Sequence, residues 1–220
     1  MAKLRRRREA INKLDLKALR YTCENGTDLL LELPEGHIWQ GGEEASKDGT
    51  IFNANIPTEE IFSAPQYNGV NGIVYSTKPL IYHGNTISDF SFTFKEGKIV
   101  EYTAKEGYEV LKELVETDEG SHYLGEVALV DHFSPISQSN QIFYETLFDE
   151  NASCHLAIGA SYPTCLKNSD GLSEEDLKER GLNHSLTHVD FMIGHEHMNI
   201  KGYTRDSQEV DIMIDGRLQV

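Results

Sequence analysis

The sequence predicts an α+β fold that is richer in strand than in helix. Phenylalanine alternates with polar residues at Phe90, Phe92 and Phe94, a period of two that is typical of a half-buried strand. Other short apolar runs are bounded by glycine or proline, whereas few segments have helical spacing. A chain of 220 residues is long enough to form one domain around a hydrophobic core.

The first predicted element is a helix over residues 3–20, in which Leu4, Ile11 and Leu14 fall near one stripe. The four arginines at positions 5–8 are expected to form a solvated face of this helix. From residue 27 to residue 81 we expect strands and loops, because glycine pairs and prolines repeatedly interrupt the chain.

The later elements are predicted from turn residues and periodicity. They are a hairpin with its turn at residues 95–98, a helix over 106–117, a strand over 125–130, a helix over 140–148 and a hairpin turn at Asp215-Gly216. Gly97 supplies the positive φ that the first of these turns requires. Ser173 and Asp176 have the spacing of a helix N-cap and its capping partner.

Composition excludes several classes of function. The chain has 36 acidic and 20 basic residues and a formal net charge of -16, which argues against a nucleic-acid partner. This charge suits an amine-bearing substrate, and it also suits solubility alone. Three cysteines without a C-x-x-C pair argue against a disulfide framework or a Cys-zinc site. We expect no membrane span and no secretory signal, and therefore a cytoplasmic protein.

Two short segments, residues 153–159 and 188–194, have the pattern of buried strands that carry polar side chains. His155 lies in the first, and His188 and Asp190 lie in the second at a spacing of i, i+2. On a strand this spacing puts both side chains on one face. Buried charge is costly unless it is paired, and a metal ion is a strong partner for clustered His, Asp and Glu. The alternative is that these are core polar residues satisfied by hydrogen bonds.

Four further residues are candidates with weaker support from the residues alone. Glu126 lies inside an apolar strand, and Glu150 precedes the His155 strand as a ligand or as a residue that orients one. Of the neighbours Glu59 and Glu60, at most one should point inward, because adjacent residues on an extended chain face opposite ways. Each of these acids could instead lie at a surface or a helix end. The motifs H-E-x-x-H and G-x-S-x-G are absent, which excludes a zincin helix and weakens a serine-hydrolase interpretation.

Eight stretches in order along the chain resemble the thermophilic metallo-aminopeptidase family, of the aminopeptidase T, aminopeptidase S and PepS type. They are EGHIWQGG, NIPTEEIF, STKPLIY, LGEVALV, SPIS, FYETLFDENASCHLAIGASY, GLNHSLTHVDFMIG and the closing hairpin. The resemblance runs from about Gly26 onward, and its specificity comes from the ordered set. It implies an α+β fold with a mixed or antiparallel curved sheet and a few flanking helices, equivalent to the C-terminal metal-binding domain of that family.

The resemblance also implies a two-metal centre. The ligands that it carries over are Glu60, Glu126, His155, His188 and Asp190, with Glu150 as a less certain member and Tyr162 as the site tyrosine. Nitrogen and oxygen ligands suit zinc, cobalt, manganese or magnesium. Glu126, central in the ligand order, is expected to bridge the ions, and Glu59 is a candidate for the base that moves a proton to the leaving amine.

The function implied is that of a metal-dependent aminopeptidase acting on peptides with a free N-terminus, with a leucine-type preference and a homodimeric assembly. We expect residues 1–25 to form a helix and connector, residues 26–220 to form the catalytic domain, and the upstream domain of the family to be absent. The alternatives are a truncated, inactive metal-binding or dimerisation module, half of a split enzyme with a separately encoded N-terminal domain, and a different metal-dependent hydrolase such as an amidase or deacetylase.

Overall fold

A computed structural model describes residues 2–53 and 58–220 of the chain. Residues 54–57, which include part of the NIPTEEIF stretch, lie outside the described residues. The helices are α1 Ala2–Lys13, α2 Tyr108–Val115, α3 Pro135–Gln138, α4 Thr146–Asp149 and α5 Glu174–Glu179, with short 3-10 turns at Gly120–His122, Glu150–Ala152 and Pro163–Cys165. The first eight strands are β1 Leu16–Thr22, β2 Asp28–Glu32, β3 Glu44–Ala45, β4 Ile51–Phe52, β5 Glu60–Ser63, β6 Val70–Tyr75, β7 Leu80–Tyr82 and β8 Asn85–Ile87. The others are β9 Ser91–Lys95, β10 Lys98–Thr103, β11 Leu124–Val130, β12 His155–Gly159, β13 His188–Met192, β14 Asn199–Thr204, β15 Glu209–Ile214 and β16 Arg217–Leu218.

Two antiparallel sheets contain twelve of these strands, and β3-β4 and β7-β8 form two separate two-stranded sheets. The larger has the order β10-β9-β6-β2-β1-β14-β15-β16, and the smaller has the order β13-β12-β11-β5. Every strand pair in these two sheets is antiparallel. The prediction of a strand-rich α+β fold is therefore confirmed, in its antiparallel form.

The two sheets share one hydrophobic core. Phe191 of β13 contacts Phe92 of β9, with ring centroids 5.1 Å apart. Val127, Leu156 and Phe191 belong to the same buried cluster as the inner residues of the larger sheet. One face of the four-stranded sheet thus packs in the hydrophobic core, and the polar side chains lie on the opposite face.

The predicted N-terminal helix is wrong in its second half. Helix α1 ends at Lys13, Asp15 has a φ of 45°, and the chain continues as β1 in the middle of the larger sheet. A left-handed residue cannot continue a right-handed helix. The apolar residues beyond it lie in strand β1, where Leu16, Leu19 and Tyr21 are fully buried.

The arginine run is only partly a solvated face. Arg7 is 6% exposed and forms an ion pair with Asp131, at the end of β11. Arg8 donates to the carbonyl oxygens of Gly41 and Glu43, at 2.9 Å in each case. Helix α1 is thereby attached to the sheet that contains β11.

Most of the later elements follow the predictions. The hairpin turn between β9 and β10, helix α2, strand β11 and the turn at Asp215-Gly216 are present. Ser173 and Asp176 form a capping box at the start of α5. The predicted helix over 140–148 is wrong, because only Thr146–Asp149 is helical. The Asp149 carboxylate accepts from the backbone N–H groups of Phe143 and Glu145, which holds that segment as a loop.

Among residues 2–53 and 58–220, none of the helices has the length and apolar character needed to cross a bilayer.

Candidate metal centre

The face of the four-stranded sheet that points away from the core carries the predicted ligands. Glu126 on β11 lies directly opposite Ala157 on β12, and Ala157 lies opposite Asp190 on β13. Residues directly opposite each other in an antiparallel sheet share a face. His188 lies opposite Gly159 at one end of this face, and Glu60 on β5 lies opposite Val130 at the other end. Four strands therefore contribute side chains to one surface.

A β-bulge aims Glu126 at this surface. Leu124 pairs with Ile158 on the core side, yet Glu126, two residues later, pairs with Ala157 on the ligand side. A regular strand would send both residues to one face, and a bulge re-aims the side chain that follows it. Gly125 is the extra residue. A Cβ atom at this position would lie 2.2 Å from the carbonyl oxygen of Ala160, so the close approach requires glycine.

The ligand atoms form three overlapping groups in which all atoms lie within 4.8 Å of one another. They are Glu60, Glu126 and His155; Glu126, His188 and Asp190; and Glu150, His155 and Asp190. Oε1 of Glu126 lies 3.5 Å from Nε2 of His155, and Oε2 of the same carboxylate lies 3.8 Å from Nε2 of His188. The two oxygens of Glu126 thus face two different imidazoles, and Glu126 is the residue shared by the first two groups.

The donor set fits divalent metal ions. Oε2 of Glu60, Nε2 of His155 and Oδ1 of Asp190 are buried and have no hydrogen-bond partner among the residues that the structure describes. Buried polar atoms are nearly always paired, because desolvating them is costly. The lack of a hydrogen-bond partner for each of these atoms is explained if a cation binds within the ligand group to which the atom belongs. Carboxylate oxygens and imidazole nitrogens are suitable ligands for it.

Backbone carbonyl groups hold both imidazoles in the orientation needed for metal binding. Nδ1 of His155 lies 2.9 Å from the carbonyl oxygen of Ser153, and Nδ1 of His188 lies 2.8 Å from that of Ala160. A carbonyl oxygen only accepts, so each Nδ1 carries the hydrogen and each Nε2 is left to face the carboxylates. This is the usual second contact of a metal-binding histidine. A backbone acceptor leaves no side-chain signature, so sequence reasoning missed it.

Electrostatics in the cluster favour positive charge. Burial lowers the pKa of His155, but Glu126 and Glu60 outweigh that effect and raise the pKa well above its ordinary value. Burial likewise lowers the pKa of His188, whereas Asp190 and Glu126 raise it to about 9. For Glu150, burial and then the nearby charge of Glu60 raise the pKa to about 8. In the absence of a metal ion, protons on the two imidazoles and on Glu150 offset the negative charge of the cluster.

The pKa values of Glu126 and Asp190 shift in opposite directions in these surroundings. Burial raises the pKa of Glu126, and the imidazole of His155 opposes this only in part. Burial also raises the pKa of Asp190, but contacts with His188 and His155 outweigh it, so the pKa is lowered. Asp190 is thus the acid of this pair that the histidines hold ionised.

Glu150 joins the cluster, and Glu59 lies beside it. Glu150 begins a 3-10 turn before β12, is 6% exposed, and belongs to the third ligand group. The backbone N–H of Glu59 donates to Oδ1 of Asn151 at 2.9 Å, which ties the start of β5 to that turn. Within the described chain, Glu59 belongs to none of the three ligand groups.

Tyr162 lies at the rim of the cluster. Its ring centroid is 4.8 Å from that of His188 and 6.1 Å from that of Phe62, and the residue is 47% exposed. Burial and the nearby carboxylate of Glu126 raise the pKa of its hydroxyl group to about 12. The phenol therefore stays protonated near neutral pH and is able to donate a hydrogen bond.

Comparison with known proteins places the chain among metallopeptidases. A family model described as "Thermophilic metalloprotease (M29)" matches residues 1–218. Aminopeptidase AmpS of Bacillus subtilis (strain 168) is 54% identical over 206 residues, which are 94% of this chain and 50% of AmpS. Aminopeptidase 2 of Geobacillus stearothermophilus is 52% identical over the same shares of each chain.

A solved structure is also similar to this chain. Wild-type AmpT from Thermus thermophilus superposes with a TM-score of 0.91 at 40% identity, over 100% of this chain and 56% of the AmpT chain. The chain thus spans about half the length of the curated relatives it matches.

Proposed function

Since this chain belongs to the thermophilic metalloprotease family M29, we propose that it binds two divalent metal ions and supports the release of N-terminal residues from peptides. The observation that carries this proposal is the position of Glu126. Its two carboxylate oxygens face His155 and His188 separately. A carboxylate between two sets of ligands suits a bridge between two ions.

The ligand groups divide the residues between two ion positions. The first position would be held by Glu60, Glu126 and His155, and the second by Glu126, His188 and Asp190. Glu150 approaches His155 and Asp190, one residue from each position, so it could bind either ion or orient a ligand. Zinc, cobalt, manganese and magnesium are all compatible with oxygen and nitrogen ligands.

In the proposed peptide hydrolysis, the metal ions and the side chains of the chain have separate roles. When bound, divalent ions polarise a carbonyl group and provide a nucleophile from water near neutral pH. The carboxylates of the cluster also attract the ammonium group of a peptide N-terminus. Tyr162, which is protonated near neutral pH, would donate a hydrogen bond to the oxyanion that develops on the substrate. Glu59 is the candidate that carries a proton to the leaving amine, from a backbone position fixed by Asn151.

The proposal is tested by assaying the purified chain, loaded with each metal in turn, on a leucyl dipeptide and on its N-acetylated form. We expect hydrolysis of the free dipeptide only. In Glu126→Ala and His188→Ala variants that remain folded, the rate should fall at least about 100-fold, which corresponds to about 2.7 kcal/mol in activation free energy. Cleavage of the acetylated dipeptide would favour an amidase or deacetylase. Full activity and full metal content in the double variant would overturn the proposal.

A second candidate function is a metal-binding or dimerisation module that acts together with another polypeptide. It is supported by the length of the relatives, of which this chain spans about half. In that case the chain alone would bind metal without hydrolysing the free dipeptide. Activity would return when the half of a relative such as AmpS that this chain does not match is added. We also propose the homodimer that the family resemblance implies. Sedimentation of the metal-loaded chain should give the mass of two chains, and the mass of one chain would contradict this.

A further inference from the structure

We infer that two alanines, Ala128 and Ala157, form the floor beneath the two ligand groups, one alanine for each proposed ion. Their small side chains leave the space in which carboxylates from separate strands meet. The inference rests on the proposed two-ion centre and deepens it, because it names residues that bind nothing and yet set how many ions the site accepts.

Ala157 underlies the second group. It lies on β12 between Glu126 on β11 and Asp190 on β13, and it is fully buried. Neighbouring strands are about 4.8 Å apart, so the backbones of Glu126 and Asp190 are separated by roughly 10 Å. Their ligand atoms nevertheless lie within 4.8 Å of each other. The two side chains therefore lean toward each other over Ala157, and a larger side chain there would fill the space where they converge.

Ala128 lies beside the first group, in a diagonal position. It lies on β11 opposite His155 on one side and Phe62 on the other, and it is fully buried. Glu60 lies on β5 and His155 on β12, with β11 between them. Nε2 of His155 is nevertheless 3.1 Å from Oε2 of Glu60. Because Glu60 lies opposite Val130 and His155 lies opposite Ala128, these side chains meet diagonally across β11, over Ala128 and Val130.

On β11 and β12 both alanines lie on the ligand face, which also carries Val130 opposite Glu60. On the same two strands the core face carries Val127, Leu129, Leu156 and Ile158, all of which belong to the hydrophobic core. Packing therefore does not require small residues in these strands in general. Valine is also well accommodated in strands, so an Ala→Val change on the ligand face alters the volume of the site more than the propensity of the strand.

The experiment measures bound zinc per chain by elemental analysis after dialysis, for wild type, Ala128→Val and Ala157→Val. Ala18→Val is the matched control, because Ala18 is a buried strand residue of the other sheet, 7% exposed. We expect two ions in wild type and in the control, and one ion in each of the two test variants. Glu60→Gln, which weakens the first position, identifies the ion lost: combined with Ala157→Val it should leave no zinc, and combined with Ala128→Val it should leave one.

The inference is overturned if Ala128→Val and Ala157→Val each bind two ions with wild-type affinity. Fewer than two ions in wild type would overturn the two-ion proposal itself, and this inference with it. If a valine variant lacks the near-ultraviolet circular dichroism of the folded protein, the corresponding Ala→Ser variant replaces it. Serine adds a single atom in the same space, and we expect one of the two ions to bind at least about tenfold more weakly; unchanged binding of both ions would again overturn the inference.

Discussion

Nε2 of His155 lies 3.1 Å from Oε2 of Glu60, at ion-pair distance, and neither buried atom makes a well-aligned hydrogen bond within residues 2–53 and 58–220. Two atoms that are held this close without such a bond are placed for a ligand that contacts both. Their side chains come from strands separated by a third strand, so the fold of the whole sheet holds them together. This relationship makes the cluster dependent on protons or cations, and its consequences are measurable.

Metal binding should release protons and should strengthen as the pH rises. His188 has a pKa of about 9 and Glu150 a pKa of about 8 in the metal-free chain, so both are largely protonated at pH 7. An imidazole must lose its Nε2 proton before it binds a metal. Calorimetry near pH 7 in buffers of different ionisation enthalpy should therefore detect at least about one proton released per chain. A zinc affinity that stays constant between about pH 6 and about pH 8 would contradict this.

The folding stability of the metal-free chain should fall as the pH rises, whereas its metal affinity rises, because of the raised pKa of His188. The folded-state pKa of His188, about 9, is raised above its ordinary value of 6.5. A raised pKa contributes stability that is complete below about pH 6.5 and is lost as the pH rises through about 9. Urea unfolding in the presence of a chelator should show this loss, and His188→Gln should reduce it. An equal slope in both proteins would contradict the assignment.

A second histidine should destabilise the chain in acid. His37 is 5% exposed, and burial lowers its pKa from 6.5 to about 4, although a contact with the carbonyl oxygen of Pro34 partly opposes the shift. The lowered pKa contributes stability above about pH 6.5 that is lost as the pH falls through about 4, on the order of 3 kcal/mol. Urea unfolding of His37→Asn should lack this loss. His83→Asn, at an exposed position, is the control and should keep the wild-type profile.

The bulge at Gly125 should be intolerant of a side chain. Gly125→Ala would place Cβ 2.2 Å from the carbonyl oxygen of Ala160, the group that orients His188. We expect a loss of about 1–3 kcal/mol in the free energy of unfolding, measured by urea titration. We also expect weaker zinc binding, measured by zinc titration. Gly171→Ala is the control. Gly171 has a φ of 77° but no atom within 4 Å of the added Cβ, so that variant should lose about 1–2 kcal/mol and keep its zinc affinity. Equal zinc affinity in the two variants would argue against the proposed role of the bulge.

The buried ion pair between Arg7 and Asp131 should contribute far more to stability than an exposed pair does. Asp131→Asn leaves the guanidinium buried without a charged partner, and we expect a loss of about 3 kcal/mol in the free energy of unfolding. Asp28→Asn is the matched control, because the side chains of Arg20 and Asp28 are 50% and 55% exposed, and it should cost at most about 1 kcal/mol. Comparable losses in both variants would show that helix α1 is not anchored by this pair.

Local pattern predicted the parts of the site that depend on local geometry. The i, i+2 spacing of His188 and Asp190 was sufficient to predict a strand with both side chains on one face, as β13 has. Glu60 was different. Its place beside His155 depends on the pairing of β5 with β11, across more than 60 residues of chain, and only the family resemblance raised it above other acids. Strand pairing at that distance leaves no periodic signal in the sequence.

The two wrong helix boundaries have physical causes outside the periodic pattern. Residues 3–20 keep helical spacing past Lys13, but Asp15 adopts a positive φ and the following residues pair with strands from distant parts of the chain. In 140–148, the carboxylate of Asp149 accepts backbone N–H groups that a longer helix would have used internally. The bulge at Gly125 was equally invisible, because register exists only between two strands.

Anomalous diffraction from zinc-soaked crystals of the chain tests whether Glu126 lies between two ions. We expect two peaks, one on each side of the Glu126 carboxylate, the first contacting Glu60 and His155 and the second contacting His188 and Asp190. A single peak that leaves one of these histidines without a metal contact, or no peak within reach of Glu126, would contradict this arrangement.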